Sequence, residues 1–123
     1  LVDPDWRNKV LDCAAGQPCD PLIGAWVARD KTNEPHLPAS APPVLVVAST
    51  ADEQALPKYV GCVLTRIEKD GIKPDECWWE GPTHIPVVGA SAAYAIEWAL
   101  AAAKGTTRPA CTQHGERAKC SIF

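Results

Sequence analysis

Val44-Leu45-Val46-Val47 is an unbroken run of branched apolar residues with no polar alternation. A strand reads this way when both of its faces are covered, as in a parallel sheet. The strand is expected over 43–48. It passes into the small residues Ser49-Thr50-Ala51 and then meets an acid, Asp52. Beyond it the period changes. Leu56, Tyr59, Val60, Val63, Leu64 and Ile67 recur every three or four residues, which predicts an amphipathic helix over about 55–69. Pro57 suits its first turn, and Gly71 ends it. Cys77-Trp78-Trp79-Glu80 then predicts a second short strand, and Gly81-Pro82-Thr83-His84 a turn off its end. Strand, helix, strand with so long a crossover implies parallel pairing.

A last helix is expected over about 91–104, with Ser91 as its cap and Gly105 as its stop. Glu97 and Lys104 share one face. Ala92, Ala95, Ala99 and Ala102 line the other, flanked by Ile96 and Trp98, a smooth surface for close approach to a sheet. The wider stretch Ile85–Ala103 is apolar enough to mimic a membrane span. Pro86, Gly89 and Glu97 argue against that, since a central acid costs roughly 2.5–3.5 kcal/mol on insertion scales. A buried helix of a soluble fold is expected instead, and no transmembrane segment.

Asp3-Pro4 and Asp20-Pro21 are two helix starts of one kind, with Asp to cap free amides and Pro for the first helical position. Trp6, Val10 and Cys13-Ala14 give the first helix its spacing, and Gly16 stops it. Leu22, Ile23, Trp26 and Val27 do the same for the second. Residues 1–31 thus read as a small helical element. Residues 32–43, with four prolines, read as an extended linker, and its His36 as a solvated loop residue. The core follows over 44–104. The tail, 105–123, is polar and disulfide-held, with His114 at its surface. The chain shows no internal repeat.

Length allows one domain or part of one. The net charge of −3, with no basic cluster interleaved with aromatics, sets nucleic acid aside. Six cysteines without a Cys-x-x-Cys pair or a histidine at zinc-finger spacing favour disulfides over metal. Disulfides imply an oxidising compartment, most simply secretion. Chain order suggests Cys13–Cys19 and Cys111–Cys120, with Cys62 and Cys77 a further candidate pair. The chain has no Met and opens Leu1-Val2-Asp3-Pro4, so removal of an upstream segment is expected.

Asp52 follows one parallel strand and His84 the next, so both emerge at the same sheet edge, where open α/β sheets place their chemistry. An acid that orients an imidazole is two-thirds of a nucleophile–base–acid relay. Glu53 is the substitute acid. The rival readings are local: Asp52 as a cap for the following helix and His84 as a backbone-bonded loop residue. Trp78 and Trp79 read as packing residues.

The sequence Val44-Leu45-Val46-Val47-Ala48-Ser49-Thr50-Ala51-Asp52, a helix, a strand ending Trp79-Glu80-Gly81, then His84 and a closing helix resembles the carboxy-terminal third of an α/β-hydrolase. The resemblance covers about residues 33–104 and is nearest to secreted esterases and lipases, with Asn33-Glu34-Pro35 a weak further sign. It implies an α/β fold holding the last two parallel strands of such a sheet with their helices, preceded by a cap- or lid-like element. It implies Asp52 and His84 as the catalytic acid and base, and no metal or organic cofactor. Two departures stand out. Many members have Gly at or near Ser49. No Gly-x-Ser-x-Gly is present, and Gly89-Ala90-Ser91 is no substitute because it follows His84 without a strand.

The nucleophilic serine is therefore expected on an amino-terminal chain of the same precursor. Two strands apolar on both faces make no independent sheet, which points the same way. The resulting expectation is the carboxy-terminal chain of a secreted serine hydrolase acting on small-molecule or lipid esters. A two-chain serine carboxypeptidase and a non-catalytic secreted binding protein are the alternatives.

Overall fold

A computed structural model describes residues 3–33 and 36–121. Glu34 and Pro35, part of the weaker esterase sign, lie outside the described residues. The described residues divide into two units, 3–33 and 36–121.

The first unit is a helical hairpin. Helix α1 spans Pro4–Ala14 and α2 spans Pro21–Asn33. Both start as expected. Asp3 Oδ1 accepts the Asp5 amide and Asp20 Oδ1 the Leu22 amide, each at 2.8 Å, with proline at the first helical position. Cys13–Cys19 bridges the turn, and Trp6 meets Trp26 edge to face at 6.1 Å. Helix α2 reaches two residues into the expected linker. There Thr32 Oγ1 bonds back to Ala28 O instead of breaking the helix.

The second unit is mixed α/β. Strand β1 (Leu45–Ser49), helix α3 (Pro57–Lys69), strand β2 (Asp75–Trp79) and helix α4 (His84–Lys104) follow in order. The two strands pair in parallel, Leu45 opposite Asp75 and Ser49 opposite Trp79. Side chains alternate between sheet faces. Val46, Ala48 and Trp78 share the face that receives Leu64 and Val60 of α3. The other face carries Asp75, whose Oδ2 accepts Trp98 Nε1 of α4 at 2.8 Å.

Three expectations about α3 and α4 change. First, α4 begins at His84 and not near residue 91. Pro86 falls in the first turn, where its missing N–H costs nothing, so the helix runs through it. Ser91 is no cap; it is buried mid-helix with its Oγ on Val88 O. Second, the seam of α4 against β1 centres on Val87, Ser91 and Trp98, while Ala92, Ala99 and Ile96 are exposed. The helix is long and apolar enough to cross a membrane by length and composition, yet only this stripe is covered. Third, Tyr59 and Val63 of α3 are exposed, and the packed face runs through Gly61, Leu64 and Ile67.

The tail pairs with the core instead of with itself. Cys111 bonds Cys77 and Cys120 bonds Cys62, so the Cys111–Cys120 and Cys62–Cys77 pairings are both corrected. Proximity in sequence favoured local loops, but the tail wraps the outer edge of β2. It starts at Cys77 on the α4 face, gives the Gly115 amide to Trp78 O at 3.0 Å, and ends on α3. Ala118 O lies so close to α3 that a Cβ at Gly61 would overlap it. Arg117 bridges Glu68 of α3 and Glu76 of β2 at 2.6 and 2.9 Å. One sheet edge is thereby closed. No described residue pairs with the outer edge of β1.

Candidate active site

The site is built where the two strands end. Thr50 N bonds Trp79 O at 2.9 Å, so the ladder continues one step past β1. The chain then turns, with the Asp52 amide on Ser49 O at 3.4 Å. Asp52 Oδ1 accepts the amides of Gln54 and Ala55 at 2.9 and 2.8 Å. This is a local turn, since α3 itself starts at Pro57 with Leu56 as a cap that makes no side-chain bond.

Off β2, Gly81 has a φ of 103°, which an L side chain rarely adopts, and it redirects the chain into Pro82. His84 is then the first residue of α4 and not a loop residue. Its Nδ1 lies 2.9 Å from Asp52 Oδ2 and 3.1 Å from Oδ1. Asp52 is only 6% exposed, and the His84 side chain 32%. The residues nominated from sequence, 32 positions apart, are in contact. Glu53 does not compete for the ring. Its Oε2 reaches the His84 backbone amide at 3.4 Å.

Burial alone would raise the Asp52 carboxyl. The hydrogen bond to His84, the two amides and the imidazole charge outweigh it and hold the carboxyl below its ordinary value. An ionised carboxylate only accepts, so His84 Nδ1 is the donor. That leaves Nε2 as the acceptor of the neutral ring, with no partner among the described residues. The two buried serine hydroxyls are engaged elsewhere: Ser49 Oγ donates to Pro82 O, and Ser91 Oγ to Val88 O.

A second acid–imidazole contact was not anticipated. His36 Nδ1 lies 2.8 Å from Asp70 Oδ1, and Asp70 Oδ2 accepts the Leu37 amide at 3.0 Å. His36 is therefore a paired residue and not merely a solvated one. The sequence held a sign of this. Asp70 sits just past the C-terminus of α3, where an acid runs against the helix dipole unless something compensates it. Trp78 is buried with Nε1 on Glu76 Oε2 at 3.0 Å, as a packing residue should be. Trp79 is half-buried, and its indole N–H has no partner among the described residues. His114 is exposed, and no metal-binding cluster occurs among the described residues.

No family model, curated protein or solved structure matches the chain.

Proposed function

We propose that this chain supplies the acid and base of a serine hydrolase acting on carboxylic esters, with the nucleophile on an amino-terminal part of the same precursor. The observation that carries the reading is the Asp52–His84 contact, made between loops that leave neighbouring parallel strands. A buried carboxylate on Nδ1 fixes the ring and leaves Nε2 to take a proton. In the proposed reaction Nε2 removes the serine hydroxyl proton as that oxygen bonds to the ester carbonyl carbon. The proton then passes to the departing alcohol. Water, deprotonated in its turn by Nε2, releases the acid and restores the serine.

Two features support a missing part. The outer edge of β1 is unpaired among the described residues, although parallel strands are ordinarily interior. Ile85, Val88, Ile96 and Leu100 leave α4 apolar on a side that faces nothing described. The three disulfides fit an oxidising compartment, and we read the chain as secreted.

The test is ester turnover and labelling by a serine-directed phosphonate in the native material, compared with a His84→Ala variant. Turnover and labelling should both be lost. A variant that keeps wild-type turnover removes the reading and leaves Asp52 as a turn-forming residue, a role its two amide contacts already perform. An ester-versus-peptide substrate panel separates the esterase from a carboxypeptidase.

A further inference from the structure

We propose that Ser49 is a positioning residue for the Asp52–His84 pair, its hydroxyl tying together the two loops that carry the acid and the imidazole. The effect on turnover rests on the hydrolase reading; the effect on the pair itself does not.

Ser49 closes β1 and is 1% exposed. Its Oγ donates to Pro82 O, two residues ahead of His84. The same oxygen accepts the Ala51 amide at 3.2 Å, one residue ahead of Asp52. Its carbonyl accepts the Asp52 amide. One buried residue thus fixes the path to the acid and holds the approach to the histidine.

The other links across this gap differ in kind. Thr50 bonds Trp79 O, still within the ladder and one step before the chain turns. Glu53 reaches the His84 amide at 3.4 Å from an exposed side chain, where water competes. Pro82 O needs an outside donor. The α4 ladder begins one residue later, with the Val87 amide on Thr83 O. A hydroxyl is the smallest group that donates to that carbonyl while accepting from an amide behind it. This also gives a physical role to the residue that stands where the resembled family often has glycine.

A hydrogen bond that positions a base acts on chemistry more than on binding. Misplacement by about 1 Å can cost on the order of 100-fold in rate. Ser49→Ala should therefore lower kcat by about 10- to 100-fold with KM changed by less than about twofold. Ser91→Ala is the control, because it removes a buried hydroxyl bonded only within α4. It should leave kcat near wild type.

The readout independent of turnover is the His84 Nδ1–H proton, observed by NMR with the chain 15N-labelled at histidine and kept with any chain that co-purifies. Wild type and Ser91→Ala should show one protected Nδ1–H signal for His84. Ser49→Ala should lose or broaden it, and Ser49→Thr, which keeps the donor, should retain it. If the alanine variant does not fold, the threonine variant decides alone: retention supports the proposal. Loss of the signal in Ser49→Thr assigns the effect to packing and overturns it. A wild-type signal or wild-type kcat in Ser49→Ala also overturns it. Turnover that survives in His84→Ala removes the hydrolase reading instead, and the ring signal then judges Ser49 by itself.

Discussion

The second unit holds two acid–imidazole contacts of nearly equal length, set in different surroundings. His84 and Asp52 meet at the carboxyl ends of β1 and β2. His36 and Asp70 meet at the opposite end, where α3 finishes before β2 begins. In the first pair the histidine is half-covered and opens a helix. In the second the imidazole is 63% exposed, and Asp70 also holds the Leu37 backbone. Contact distance therefore does not identify a reactive pair. What separates them is position on the sheet and the number of hydrogen bonds that fix the ring-bearing segment. At His84, Ser49 and Glu53 both brace that segment. At His36, Asp70 itself is the brace.

The sharpest way to break the comparison is the same substitution at each acid. Asp52→Asn should lower kcat by about 10³-fold or more, because an amide no longer enforces the Nδ1–H tautomer of His84. Asp70→Asn should leave kcat within about twofold. Equal losses at the two sites would erase the distinction drawn between them.

A smaller effect, on stability, sharpens the contrast. β2 leads directly into His84, and the tail holds its outer edge through Cys77–Cys111, nested inside Cys62–Cys120. Replacing Cys77 and Cys111 together by Ala should cost about 2–4 kcal/mol in equilibrium unfolding. Replacing Cys13 and Cys19 opens a much shorter loop and should cost about 2 kcal/mol. Loss of the β2 staple should also weaken the His84 Nδ1–H signal, and loss of Cys13–Cys19 should not.

How far each pair was legible in the sequence follows from the same geography. Asp52 and His84 each trail a strand, and parallel pairing brings the two ends together without further information. His36 and Asp70 belong to a linker and a helix end, which no periodicity relates. Composition could say that the cysteines pair, but not that the tail turns the corner of β2, since that path depends on where α4 delivers it. The start of α4 was hidden for a local reason. Gly81-Pro82 does make a turn, but it is short, and the helix begins at His84 with Pro86 in its first turn. The alanine face misled because the seam runs through Val87, Ser91 and Trp98, which leaves Ala92 and Ala99 on the outside.

The smallest effect is the pH dependence of Asp70. The hydrogen bond to His36, then the Leu37 amide, hold its carboxyl below the ordinary value. For an acid lowered in the folded state, the stabilisation is fully present above the unfolded pKa of about 3.9. It is lost as pH falls through the lower folded value. Asp70→Asn should therefore melt a few degrees below wild type at neutral pH, with the gap closing in strong acid. His36→Gln should show a smaller gap, since the Leu37 amide still bonds Asp70. Melting temperatures of the three proteins across the acid range measure this. A gap that persists unchanged in strong acid would mean that the Asp70 side chain contributes through its packing, and the second pair would then be an accident of placement and not a clasp.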